Sequence, residues 1–233
     1  SMRTHLQETP ALYNQVLLTE NQCEQIDVVL VSPRNPLNIG AAARAMANFG
    51  FTRLAVVSPY APHWREAKSA VGAPDILKNA TSTVCLADAV CDCTLVAGTG
   101  TLTYRKPEQR VVQLPDLSPL AQAELERGGR LALVFGPEKH GLTRDDLSYC
   151  HILVEIPTDA RQPSMNLGQA VAVCRYELAA HIQPPATASG TKQNSKEQMD
   201  ARGRVATSGS LELLAGVVEE VMEAAHYSPA SMR

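Results

Sequence analysis

Aromatic residues are scarce: Phe, Trp and Tyr make up 4% of the 233 residues, with a single Trp. A core must therefore be built from Val, Leu, Ile and Ala, and a hydrophobic content of 45% can supply one. No apolar run approaches the roughly 18 residues of a membrane span, and the start of the chain lacks a charged-then-apolar leader. A cytoplasmic protein with no membrane partner is expected. The six cysteines, Cys23, Cys85, Cys91, Cys93, Cys150 and Cys174, include no CxxC pair and no Cys/His ligand spacing. No metal site is expected, and reduced thiols are the simplest state. Gly98-Thr99-Gly100-Thr101 lacks the third glycine of a dinucleotide fingerprint, and Tyr104-Arg105-Lys106-Pro107 follows where a helix should begin. What remains is a glycine-rich turn at a strand's carboxyl end, where open parallel sheets bind ligands. Charge excludes little. The chain carries a net −3, but residues 34–110 hold nine Lys/Arg against five Asp/Glu, so one face can be locally basic.

Residues 28–57 read as strand, loop, helix and strand, a βαβ unit. An apolar run from Ile26 to Val31 suits a buried strand. The helix that follows carries Ile39, Ala43, Met46 and Phe49 on its apolar stripe and stops at Gly50. Arg44 lies off the stripe, between Ala41, Ala45 and Asn48. By periodicity alone it is a solvated helix residue, although its small neighbours allow another backbone or a ligand to approach. Asn38 reads as a helix cap on the same grounds. Further along, a helix is expected over 64–71, with Trp64 capping the core, and a short one over 75–78. Strands are expected over 82–86, 94–97, 131–135 and 151–156, and helices over 87–91, 118–127 and 168–181. Pro119 would open the 118–127 helix, and Thr143 with Asp146 would form a capping box. Alternating strands and helices predict an α/β fold with a mostly parallel sheet covered on both faces. Residues 1–25 form an N-terminal extension, 26–183 the main domain, 184–208 a polar linker and 209–233 a C-terminal helical appendage. The apolar face of that last helix needs the domain or a second subunit to cover it.

Three loops stand out: the first ends at Arg44, the second runs from Phe135 to Thr143, and the third is Ser164-Met165-Asn166-Leu167. Each alone has a bland explanation in capping or turn geometry. Together, Asn38-Ile39-Gly40-Ala41-Ala42-Ala43-Arg44, Leu133-Val134-Phe135-Gly136-Pro137-Glu138-Lys139-His140-Gly141-Leu142-Thr143 and the third loop resemble, in order and spacing, the three motifs of the SPOUT class of RNA methyltransferases. Within that class the chain resembles the TrmH/SpoU family and its TrmJ type. The resemblance spans residues 26–181. It implies a C-terminal trefoil knot, S-adenosylmethionine bound in the knot, and a homodimer whose interface completes each site. It also implies 2′-O-methylation of a pyrimidine ribose in the tRNA anticodon loop. Ribosomal RNA is the alternative substrate, and a non-catalytic RNA-binding protein the alternative function.

Carried over by position, the cofactor loops are Gly98, Thr99, Gly100 and Thr101, then Phe135 and Gly136, then Ile156, then Pro163, Ser164, Met165, Asn166 and Leu167. The candidate catalytic residues are Arg44, Asn38, Glu138, Ser164 and Asn166. On this reading Asn38 and Arg44 hold the target ribose and its phosphate. Glu138 orients Arg44 or the ribose, and Ser164 and Asn166 bind near the methyl donor. A guanidinium keeps its proton at physiological pH, so positioning by Arg44 is favoured over general-base action.

Overall fold

The computed structural model describes residues 18–100, 107–183 and 205–224. In chain order the elements are α1 (Glu20–Glu24), β1 (Ile26–Val31), α2 (Pro36–Asn48), β2 (Leu54–Val57), α3 (Pro74–Asn79), β3 (Thr81–Thr83), α4 (Leu86–Val90), β4 (Leu95–Thr99), β5 (Arg110–Gln113), α5 (Leu114–Glu126), β6 (Leu131–Phe135), α6 (Arg144–Ser148), β7 (Ile152–Glu155), α7 (Leu167–His181) and α8 (Ser208–Ala224). The seven strands form one all-parallel sheet in the order β3-β2-β1-β6-β4-β7-β5. β1, β6, β4 and β7 are therefore consecutive neighbours. Their carboxyl-end loops meet although they lie far apart in sequence, and such a reversal of strand order is where open sheets place ligands.

Both faces of the sheet are covered, as the alternation of side chains requires. Val28 and Leu30 pack with Ile39, Met46, Leu117, Val171, Cys174 and Leu178 under α2, α5 and α7. Val29 and Val31 point the other way, into a smaller cluster with Leu86, Val90, Val134 and Leu142. Each fully buried aliphatic side chain contributes about 1.5–3 kcal/mol, so the larger cluster dominates stability.

α2 starts where the Asn35 side chain accepts the Leu37 N–H at 3.0 Å, with Pro36 at its first position. Asn35, not Asn38, is the cap. The helix ends before Gly50, whose φ of +76° favours glycine. Its small residues serve close packing. A Cβ on Gly168 would stand 2.8 Å from the Ala41 Cβ, and one on Gly40 would stand 2.2 Å from Ser69 Oγ and 2.9 Å from the Ala70 nitrogen. The backbones that approach α2 are thus α7 and the 67–70 segment.

Several expectations shift. The helix expected over 64–71 is a single 3-10 turn, Trp64–Glu66. Trp64 is buried, with Arg65 stacked 4.3 Å from its ring centroid. The strand expected over 82–86 ends at Thr83, and Leu86 already begins α4. α5 begins at Leu114, so Pro115 sits in its first turn and Pro119 lies inside. β5 is absent from the sequence expectation, because only Val112 of its four residues is buried on this edge strand. The Thr143–Asp146 capping box is present. The expected linker lies outside the described residues up to 204. α8 touches the domain through its first turn, with Ser208 N–H donating to the Cys93 carbonyl at 2.7 Å and Gly209 N–H to the Cys91 carbonyl at 2.9 Å. Leu211, Leu214, Val218 and Val221 stay exposed.

Two ionisable side chains, one fully buried and one half-buried, bear on stability. Arg175 of α7 is fully buried, 4.0 Å from the Phe51 ring centroid, and its guanidinium nitrogens find no hydrogen-bond partner among the described residues. Burial pushes its pKa down to about 9. A desolvated cation–π contact worth about 2 kcal/mol offsets only part of that desolvation. His151 accepts the Val96 N–H at Nδ1, at 3.0 Å. Burial holds its pKa below the ordinary histidine value, against a smaller opposing pull from Glu124. The unfolded chain therefore binds this proton more readily than the fold. His151 contributes stability that is complete above about pH 6.5 and is lost as pH falls below it. The thermal midpoint should drop between pH 7.5 and 5.5, and His151→Asn, which keeps an acceptor and cannot titrate, should show a smaller drop.

Candidate active site

Three loops build the site. The first is the amino-terminal turn of α2, which presents Asn38 and, further along the helix, an exposed Arg44. The second follows β6. There a Cβ on Gly136 would stand 2.3 Å from the Leu142 nitrogen and 2.4 Å from the Gly141 carbonyl carbon, so the loop doubles back on itself and has room only for glycine. Gly141 completes the turn at φ +65°. The third precedes α7, where Asn166 Oδ1 accepts the Gly168 N–H at 2.9 Å and caps the helix.

Side-chain hydrogen bonds tie the three together. Asn38 Nδ2 donates to Glu138 Oε1 at 2.6 Å, and Asn166 Nδ2 donates to Asn38 Oδ1 at 3.2 Å. Both ends of the Asn38 amide are therefore engaged by protein. Arg44 forms no hydrogen bond or ion pair with this cluster. Glu138 contacts Asn38 rather than Arg44.

Beside the cluster lies a cavity of about 410 Å³ at the carboxyl ends of β4, β6 and β7, within the size range of small-molecule sites. Gly98, Thr99, Gly100, Phe135, Gly136, Ile156, Pro163, Ser164, Met165 and Leu167 line it, as does Glu138. Asn166 does not, because its side chain turns to Asn38 and the α7 cap. Thr101 lies outside the described residues. The structure adds Leu142, Leu153, Thr158 and Ala170 to the lining. The sequence marks Leu142 only as part of the second loop and Leu153 only as part of a strand, since nothing in periodicity says which side chains a cavity will reach. Thr99 is fixed by its hydroxyl, which donates to the Val134 carbonyl at 3.0 Å. Below Gly98 the floor is closed by Cys150, whose Sγ would stand 2.7 Å from a Cβ at that position. Burial pushes the Cys150 thiol up to about 12, so it is a packing group and no nucleophile. Among the described residues no three His, Cys, Asp or Glu side chains group to hold a metal.

A parallel sheet with a cavity at its reversal point, walled by the ends of β4 and β6, the loop after β6 and the segment between β7 and α7, defines an α/β domain built to bind a small molecule. Its lineage is clear: the chain belongs to the SpoU rRNA methylase family, whose profile matches residues 25–176. It is 40% identical over 156 residues to the tRNA (cytidine/uridine/adenosine-2′-O-)-methyltransferase TrmJ of Pseudomonas aeruginosa, covering 66% of this chain and 60% of that protein. It is 36% identical over 176 residues to the uncharacterized tRNA/rRNA methyltransferase LasT of Escherichia coli, covering 75% and 76%. The crystal structure of TrmJ from Z. mobilis superposes with a TM-score of 0.68 at 28% identity, over 86% of this chain and 81% of that one. The chain thus spans about 60% of the length of the P. aeruginosa relative.

Proposed function

We propose that this protein is an S-adenosylmethionine-dependent RNA methyltransferase that modifies a ribose 2′-hydroxyl of tRNA, on a cytidine or uridine at the start of the anticodon loop. The observation that carries the proposal is the meeting of the three loops. Their catalytic-type side chains, Asn38, Glu138 and Asn166, are joined in one hydrogen-bonded chain beside a cavity sized for a nucleoside. TrmJ relatives named for cytidine and uridine 2′-O-methylation support the substrate. The family's own description names ribosomal RNA, which is the second reading.

The cavity fits the proposed methyl donor. Phe135, Ile156 and Leu167 offer apolar walls to an adenine ring. Among the described residues nothing lies within 4 Å of a Cβ built on Gly100, which lines the cavity with bare backbone that a ligand can approach. Gly98, Thr99, Gly100, Gly136 and residues 163–167 would hold the molecule, and when bound it supplies an electrophilic methyl group on a sulfonium. The chain's task is then to align the ribose oxygen with that methyl, and alignment of this kind can contribute roughly 7–11 kcal/mol. Calorimetry with S-adenosylmethionine and with NAD checks this step. Saturable binding of the former alone is expected, and failure to bind it would overturn the reading.

The resemblance also supports a trefoil knot formed by the chain after β7, a cytoplasmic location, and residues 26–183 as the catalytic unit. No helix among the described residues is long and apolar enough to cross a membrane. A homodimer is part of the proposal. Leu37 of α2 and Val173 and Tyr176 of α7 are exposed, with Phe49 edge-on to Tyr176, and such a patch suits a second copy. Arg44, exposed on α2, would reach the partner's site rather than its own.

A further inference from the structure

On the reading of the site as a ribose 2′-O-methyltransferase, we infer that Glu138 is the residue that takes the proton from the 2′-hydroxyl, and that Asn38 and Asn166 are positioning residues that aim it. The Asn38 amide is engaged on both sides, because Oδ1 accepts from Asn166 while Nδ2 donates to Glu138 Oε1. Asn166 is itself fixed, through Oδ1, by the Gly168 N–H at the start of α7. The order of the chain is therefore helix terminus, Asn166, Asn38, Glu138, each amide oriented by the one before it. Glu138 is the end of this relay and the one member that also lines the cavity. Its Oε1 is occupied by Asn38, and Oε2 makes no hydrogen bond among the described residues. A carboxylate with one oxygen clamped and the other open beside the donor cavity is built to accept a hydrogen bond from a hydroxyl placed there.

The step balances without another reagent. The ribose oxygen forms its bond to the methyl carbon, and the carbon–sulfur bond breaks with its electron pair going to sulfur. The O–H bond breaks with its electrons kept on the ribose oxygen, and the proton passes to Glu138 Oε2 and then to water. As the new O–C bond forms, the hydroxyl becomes strongly acidic, so a carboxylate suffices as acceptor and Arg44 keeps its proton throughout.

The test uses four proteins: wild type, Glu138→Gln, Asn38→Asp, and the exchange that combines the two substitutions. Glu138→Gln should bind S-adenosylmethionine as wild type does by calorimetry, yet lose about 100-fold or more in single-turnover methylation. Asn38→Asp places two carboxyl groups at hydrogen-bonding distance, where they share one proton, so the acid limb of its pH–rate profile should move to higher pH. In the exchange, the amide now at position 138 donates to the carboxylate now at position 38 and rebuilds the contact in reverse. Its thermal midpoint should return to that of wild type and the raised acid limb should vanish, while its rate stays as low as that of Glu138→Gln. A wild-type rate in Glu138→Gln, or recovery of the rate in the exchange, would overturn the inference and leave Glu138 a structural contact. Wild-type protein that binds S-adenosylmethionine but methylates no RNA would instead refute the functional reading beneath it.

Discussion

Replacing Gly136 with alanine should weaken S-adenosylmethionine binding by about 100-fold or more, since displacements near 1 Å at a positioned site have effects of that size. The reason is steric. The added Cβ would meet the Leu142 nitrogen at 2.3 Å and the Gly141 carbonyl carbon at 2.4 Å. Both are backbone atoms of the same loop and cannot turn aside as a side chain could. The loop must open, and it carries Glu138 and one wall of the cavity. Calorimetry on the folded variant checks this. Gly100→Ala is the contrast, because its Cβ meets no atom of the described residues within 4 Å. It should leave the fold intact and affect binding only by intruding on the ligand.

Arg44→Ala should abolish nearly all single-turnover methylation, about 100-fold or more, whereas Arg44→Lys should retain a measurable rate. The side chain is exposed, with no carboxylate partner among the described residues, so its removal leaves the fold intact. A positioning cation can be replaced in part by another cation, though lysine loses the bidentate geometry that suits a phosphate. Equal and complete loss in both variants, with RNA affinity unchanged, would contradict the positioning role. Mixing Arg44→Ala with Glu138→Gln protein adds a check on the dimer. If Arg44 reaches the partner's site, mixed dimers should recover activity that neither parent has.

Much of the fold is legible in the sequence because local signals agree. β1 reads as an apolar run, broken only by Asp27, because the strand is buried on both faces. The Thr143 box and the Leu167, Val171, Cys174, Leu178 face of α7 follow from spacing alone. The departures have physical causes. Asn35 and Asn38 both precede the Ala-rich run, and Pro36, with its preset φ and missing N–H, is the residue that decides for Asn35. β5 escapes because an edge strand with one buried residue leaves almost no pattern. Pro119 looks like a helix start, whereas the helix has begun at Leu114 and its next turn tolerates the missing N–H.

The site is legible as motifs but not as geometry. Nothing local says that Asn38 finds Glu138, 100 residues away, or that Asn166 finds Asn38 across 128. That pairing depends on the order β1-β6-β4-β7 in the sheet, which sequence patterning does not encode. The same limit explains why the third motif groups Asn166 with the cavity it turns away from. Arg175 gives no signal at all, because a lone arginine in a helix reads as a solvated one, yet it is fully buried against Phe51.

Nucleoside mapping decides whether this protein methylates a ribose of tRNA. Unmodified tRNA and ribosomal RNA are each incubated with the purified protein and isotopically labelled S-adenosylmethionine, then digested and mapped by mass spectrometry. A label on the 2′-oxygen of a cytidine or uridine at the start of the tRNA anticodon loop is the expected result. A label on a base, or on ribosomal RNA alone, would contradict the claim.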